Sequence, residues 1–355
     1  MTYKWIDTLA DLPQALVNAD CWYMDTEFMR ERTFWAELAL VQVAADGELV
    51  LLDAPRLADS RPLGELLANK TLVLHACSED LDVLTHTTGV APQHIEDTQL
   101  AAALVGHPLQ LSYQKLVELV CGITLPKDAT RSDWLKRPLS AQQLEYAADD
   151  VRYLAQVRDQ LVQQLTELGR VDWWQEECAR LLQQVLAETP SDDCWRQVKG
   201  AGNLQGRELA RLQCLAAWRD AEARARNLPR SFVVKDVELL QLCQRAPTTS
   251  AQLASLELAP GLIRRQGDKL LALLREAQEL PLPAPLPQPL DGEQKKLAKH
   301  LKQLAEQVAK EQALEVEVLI RRRWLEALVR NPGVIPEPMN GWRKAVLTDK
   351  LLAGL

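Results

Sequence analysis

The chain contains no apolar run near the ~18–20 residues that a bilayer-spanning helix requires, so no transmembrane helix is expected. Its opening residues, Met1-Thr2-Tyr3-Lys4-Trp5-Ile6-Asp7, meet an acid before any hydrophobic stretch, and no signal-peptide pattern is present. The seven cysteines are odd in number, scattered, and never spaced Cys-x-x-Cys. That argues against a disulfide framework and against a cysteine-based zinc site, and a reducing cytoplasm is the expected compartment. No Gly-x-x-x-x-Gly-Lys-Ser/Thr phosphate loop occurs, which speaks against a nucleotide-driven motor. No sequence-level repeat is found.

What is present has the proportions of an ordinary soluble protein. The 355 residues are 47% hydrophobic and 25% charged, enough for two or three domains with sizeable cores. The net charge of −8 is unevenly spread. Residues 1–204 hold 17 Lys and Arg against 31 Asp and Glu, a net of −14; residues 205–355 hold 24 against 18, a net of +6. An acidic first part followed by a basic second part suits a carboxylate-bearing catalytic domain joined to a region that touches polyanions.

The stretch Cys21-Trp22-Tyr23-Met24-Asp25-Thr26-Glu27-Phe28 reads as a buried strand, yet it carries two acids. Asp25 and Glu27 are two apart, so a pleated strand points both to one face. Their mutual repulsion is relieved best by a divalent cation with oxygen ligands. Runs 38–44 and 48–53 flank Ala45-Asp46-Gly47, a hairpin signal. Residues 63–68 form a short helix, and 71–75 read as a buried strand. Ser78 is placed to cap a helix carrying Glu79, Asp80 and Asp82 near its start. Residues 94–98 open a helix through Leu104, and 112–121 form another. Ser140-Ala141-Gln142-Gln143 is a capping box that starts a long helix to about Leu168. Tyr146 and Asp150 share one face of it, while Asp149 is turned about 100° away.

The alternation of strands and helices indicates an α/β domain with a mixed sheet, expected over 1–170, followed by a helical connector over 171–204. An all-helical unit is expected over 205–281, a Pro-rich spacer over 282–290 and a second helical unit over 291–355.

Asp25, Glu27, Asp80, Tyr146 and Asp150 form a constellation that suits a two-metal phosphodiesterase site. Each also admits a plainer reading, as a solvated strand acid, a first-turn helix acid or a core aromatic. Taken together, Asp25-x-Glu27, Asp80 and Tyr146-x-x-x-Asp150 resemble the three exonuclease motifs of the 3′–5′ exonuclease superfamily with a ribonuclease H-like fold. The tyrosine marks the tyrosine branch. Within it the chain resembles the ribonuclease D family, on three stretches: 24–35, 75–82, and 131–139 running into 145–154. The helical region from about 205 is similar to the HRDC domain. Ala36 departs from the proline expected after the aromatic pair Phe34-Trp35.

The resemblance implies a ribonuclease H-like exonuclease domain followed by HRDC-type helical domains. It implies two divalent ions, Mg²⁺ or Mn²⁺, with Asp25 bridging both, Glu27 and Asp150 completing one site, Asp80 holding the second, and Tyr146 orienting the attacking water. The implied activity is trimming of RNA with a single-stranded 3′ end, such as precursor tRNA and small stable RNAs, to 5′-nucleoside monophosphates by a monomer. A DNA 3′–5′ exonuclease of the proofreading kind would use the same five residues. A catalytically dead binding protein is disfavoured because all five are present.

Arg30, Arg32, Arg131, Lys136 and Arg137 have two readings, as phosphate contacts or as surface ion pairs. Phe34 and Trp35 have base stacking or core packing. Asp97 and Asp133 read as structural, and His75 as a satisfied core histidine. Arg207, Arg211, Arg219, Arg224, Arg226, Arg230 and Lys235 suggest a basic, sequence-independent surface, with neutral packing as the alternative. Arg321-Arg322-Arg323 allows the same two readings.

Overall fold

In the computed structural model, which describes residues 2–126, 132–187 and 191–355, six strands form one sheet. They are β1 (Lys4–Ile6), β2 (Cys21–Met29), β3 (Glu37–Ala45), β4 (Glu48–Asp53), β5 (Thr71–Leu74) and β6 (His94–Asp97). Their order is β1-β4-β3-β2-β5-β6. The β2/β3 and β3/β4 pairs are antiparallel, and β1/β4, β2/β5 and β5/β6 are parallel, so the sheet is mixed as expected. Asp46 (φ 48°) and Gly47 (φ 84°) both lie in the left-handed region that a two-residue β3/β4 turn demands.

The helices of this part are α1 (Gln14–Asn18), α2 (Arg61–Ala68), α3 (Ser78–Thr88), α4 (Thr98–Leu104), α5 (Tyr113–Cys121), α6 (Ala141–Arg152), α7 (Leu154–Glu167) and α8 (Val171–Leu186). The capping box holds: Gln143 N–H donates to Ser140 Oγ at 3.2 Å, and Ser140 N–H donates to Gln143 Oε1 at 3.0 Å. The single helix expected from 140 to 168 is instead two, broken at Tyr153 (φ −107°, ψ −1°). The break lets α6 lie across β2, β3 and β4 while α7 turns to pack on α4 and α5. Ala147, Ala148 and Val151 of α6 close an apolar layer with Leu40, Ala44, Leu49 and Leu51, all buried.

Two further boundaries differ from the sequence reading. Ser78 is the first residue of α3 rather than its cap; Cys77 occupies the cap without a side-chain bond. Residues 94–97 form strand β6 rather than the start of a helix, and α4 begins at Thr98 with Asp97 as its cap. Asp97 resolves both. Its carboxylate accepts the N–H groups of Gln99 and Leu100 at the start of α4, and those of Ala76 and Cys77 before α3.

The remaining helices are α9 (Arg207–Ala225), α10 (Arg230–Val233), α11 (Asp236–Arg245), α12 (Ser250–Ala254), α13 (Pro260–Glu279), α14 (Gly292–Glu311), α15 (Val316–Leu319), α16 (Arg322–Arg330) and α17 (Asp349–Ala353). The chain divides into two compact units. The first takes in Met1–Met29, Glu37–Leu186 and Leu290–Leu355, so α8 and the C-terminal helices belong with the sheet. The second is Arg30–Ala36 with Ala187–Pro289.

In the first unit, Trp173 of α8 stacks on Trp342, ring centroids 4.4 Å apart and 12° from parallel. Trp342 donates its N–H to Glu176 and its indole Nε1–H to Glu177, each at 3.0 Å. Arg343 pairs with Glu177. Gly341 (φ 62°) precedes them, and a Cβ there would lie 1.8 Å from Glu176 Oε1.

In the second unit, Phe34 enters a core with Trp195, Leu212, Leu215, Leu239, Leu242 and Leu270. Asn227 Oδ1 accepts the N–H groups of Phe34 and Trp35 at 3.0 and 3.1 Å.

Candidate active site

Three of the five candidate residues converge directly. Asp25 and Glu27 on β2 and Asp150 on α6 bring carboxylate oxygens within 4.8 Å of one another. The strand period puts the first two on one face, and α6 crosses that face with its Tyr146/Asp150 side down. A β-bulge between Glu27 and Phe28 breaks the β2/β3 register at this point, a device common beside active sites because it re-aims a side chain.

Asp80 lies outside that trio but belongs to the same electrostatic group. It is 7% exposed, in the first turn of α3, and Thr26 Oγ1 donates to its Oδ1 at 2.5 Å. Its negative charge is the strongest charge effect on Asp25. The chain reaches this position through Ala76, a non-glycine residue at φ 58°, which stores strain of about 1–2 kcal/mol. Asp97 compensates by taking the N–H groups of Ala76 itself and of Cys77. Tyr146 completes the set, its hydroxyl favouring the charged form of Asp150.

Burial and mutual repulsion hold all four carboxyls above their usual range. Burial raises Asp25 well up, helped by Asp80, Asp150 and Glu27. Glu27 is pushed to about 9 and Asp150 to about 8, burial first and like charges next. The Tyr146 hydroxyl works against burial at Asp150. Asp80 reaches about 6, with burial opposed by the Thr26 hydroxyl. Burial and then the charge of Asp150 also raise Tyr146.

Among the described residues no Lys or Arg pairs with any of these four acids. Their neighbour Asp149 is the contrast: it pairs with Arg152 and stays out of the cluster. Clustered oxygen donors with no cationic side chain are the donor set that hard divalent cations take. The residues therefore fit a divalent metal.

The secondary candidates sort differently. Arg137 pairs with Asp53 at 2.6 Å and donates to the carbonyls of Trp134 and Ala39, a structural role. Lys136 and Arg32 are exposed, and Arg131 lies outside the described residues. Asp133 accepts the N–H groups of Leu135 and Lys136. His75 is satisfied on both ring nitrogens, by Thr98 at 3.0 Å and the Leu111 carbonyl at 2.9 Å.

The arginines of the helical unit are largely used inside it. Arg219 bonds Asp236, Arg224 and Arg230 clasp the buried Asp220, and Arg226 bonds Glu222. Arg207 and Arg211 donate to backbone carbonyls at Leu280 and Cys243. The basic surface expected there reduces to packing for most of its members, with Lys235 exposed.

Thr26 escaped the sequence reading. Its signal was a small hydroxyl residue set between two acids on an otherwise apolar buried face.

The profile described as 3′–5′ exonuclease matches residues 2–166, and that of the HRDC domain matches residues 208–274. Ribonuclease D of Pseudomonas paraeruginosa is 40% identical, over 94% of this chain and 91% of its own length. Ribonuclease D of Escherichia coli is 36% identical, over 99% and 98%. The chain belongs to the ribonuclease D family. It is a 3′–5′ exoribonuclease with an exonuclease domain built on a mixed sheet and an HRDC domain. The crystal structure of the E. coli enzyme, described as an exoribonuclease involved in structured RNA processing, superposes with a TM-score of 0.92 at 35% identity, covering 100% of this chain and 99% of that one. No helix among the described residues is long and apolar enough to cross a membrane.

Proposed function

We propose that this ribonuclease D family member trims single-stranded 3′ ends of structured RNA, precursor tRNA and small stable RNAs among them, as a monomer. It releases 5′-nucleoside monophosphates by hydrolysis that depends on two divalent ions, Mg²⁺ or Mn²⁺. The observation that carries this reading is the trio Asp25, Glu27 and Asp150, within 4.8 Å and without a cationic side-chain partner among the described residues.

Asp25 would bridge the two ions, Glu27 and Asp150 would complete one site, and Asp80 would serve the other. When bound, such a pair supplies a strong nucleophile near neutral pH and neutralises charge on the phosphoryl oxygens. Tyr146, one helical turn from Asp150 on α6, would present its phenol to orient the attacking water. Thr26 fixes the Asp80 carboxylate in one orientation, so the acid does not reorganise as charge builds on the phosphate. No residue needs to form a covalent bond to the substrate.

The test uses RNA with a single-stranded 3′ tail, with and without EDTA, beside the same sequence in DNA. Appearance of 5′-monophosphates only with Mg²⁺ or Mn²⁺, faster on RNA, is the expected result. Full activity in Asp150→Asn would remove the site assignment, and faster digestion of the DNA tail would favour the proofreading-type exonuclease.

A further inference from the structure

Gln42 is the most anomalous polar side chain in the sheet. It is 0% exposed, and neither its Oε1 nor its Nε2 has a hydrogen-bond partner among the described residues. Its surroundings make this harder to explain as ordinary packing. It sits on β3, with Leu51 beside it on β4 and Ala147 and Ala148 of α6 closing the same apolar layer. A buried amide with nothing to bond is destabilising, and an apolar residue of that size would fill the place without the cost.

The register supplies the reason for its presence. Gln42 is the direct cross-strand partner of Asp25. Side chains of such a pair leave the sheet on the same side, with Cβ atoms about 4.5–5.5 Å apart. Of the other three acids, Asp80 has the Thr26 hydroxyl and Asp150 has the Tyr146 phenol beside it, while Glu27 faces the apolar Leu40 across the strands. Asp25 has no side-chain donor among the described residues and draws on the backbone N–H of Thr26. Asp25 and Glu27 both lack a side-chain donor among the described residues, but Asp25 faces a residue with two unused N–H groups.

We infer that Gln42 is the positioning residue for Asp25: its amide holds the carboxylate through one internal water in the orientation that metal binding needs. This rests on the metal-site reading given under Proposed function. Gln42 touches neither substrate nor metal and acts only through Asp25. Outer partners of metal-binding carboxylates behave in this way, setting ligand orientation from the buried side.

The test compares parent, Gln42→Met and Asp25→Asn for Mn²⁺ binding by electron paramagnetic resonance and for thermal melting in EDTA, with kcat and KM on a 3′-tailed RNA. Methionine keeps the length and apolar fit of the glutamine and removes its amide. Gln42→Met is expected to melt at or above the parent temperature without metal. It is expected to bind Mn²⁺ about 10–100-fold more weakly and to lose kcat by a similar factor at unchanged KM. Parent-like Mn²⁺ affinity in folded Gln42→Met overturns the inference. Should that variant not fold, Gln42→Asn, which keeps the amide on a shorter arm, is expected to show the same metal defect, and parent-like binding by it overturns the inference equally. Unchanged Mn²⁺ binding in Asp25→Asn would instead bring down the metal-site reading itself, so the two failures are distinguishable.

Discussion

Replacing Asp25 by Asn keeps the size of the side chain and removes the charge that would hold a cation. Because Asp25 is a direct candidate ligand, activity is expected to fall by more than the ~10–100-fold typical of an outer partner, measured as monophosphate release at saturating Mg²⁺. Thr26→Val is subtler. It keeps the β-branched shape but takes away the hydroxyl that bonds Asp80, and the loss of a hydrogen bond to a charged group is about 1.5–3 kcal/mol. The expected signature is a higher Mg²⁺ requirement at unchanged KM for RNA, with Thr26→Ser restoring the parent behaviour. The raised carboxyls also make stability depend on pH. Glu27 moves from an ordinary 4.5 to about 9 and Asp150 from 3.8 to about 8. Between those limits the folded site keeps protons that the unfolded chain releases, so stability falls as pH rises, by at most about 1.4 kcal/mol per pH unit for each group. The fall ends above pH 8–9, where the folded groups ionise too. Melting temperatures in EDTA from pH 5 to 9 should therefore decline, and Mg²⁺ should raise them most at the alkaline end. A flat profile in EDTA would contradict the electrostatic description.

The β5–α3 turn and the start of α4 are held together by one residue, Asp97, which accepts four backbone N–H groups. Asp97→Asn turns an N–H₂ toward at least one of those donors. It is expected to cost about 1–3 kcal/mol in urea unfolding and to lower metal affinity through displacement of Asp80. This element also shows where the sequence was readable. Strict period-two and i, i+4 spacing put Asp25 and Glu27 on one face of β2 and Tyr146 and Asp150 on α6, and the capping box placed the start of α6, because those signals are local. The break at Tyr153 and the strand at 94–97 were not legible. Each depends on what the segment packs against: α7 turns onto α4 and α5, and β6 pairs with β5. Asp97 was recognised as structural, but which backbone groups it ties together depends on contacts from 21 positions away. Gln42 carried no signal in the sequence, since its meaning comes only from the partner across β2.

At the scale of the whole chain, Arg207, Arg211, Arg219, Arg224, Arg226 and Arg230 serve as braces within the helical unit, whereas Arg321, Arg322 and Arg323 are exposed. The six braces should therefore contribute little to RNA affinity, and replacing Arg226 should leave the slope of log affinity against log salt nearly unchanged. The C-terminal segment is tied to α8 through Arg343, which is 4% exposed at its side chain and paired with Glu177. Arg343→Leu leaves that carboxylate with Arg180 and the Trp342 indole and is expected to cost about 3 kcal/mol, seen as faster amide exchange in α14–α17 and in α8. The same contacts govern the order in which the molecule can assemble. Trp173 waits for Trp342, and Glu177 for Arg343, partners 166 or more positions further along. Between them lies Ala187–Pro289, whose contacts are mostly within its own span. Closing so long a loop is entropically slow, whereas the intervening helices need such a closure only to receive Phe34 and Trp35. Refolding should therefore be biphasic: the helical unit first, then the sheet-bearing unit, which is finished only when residues from the far side of the chain arrive.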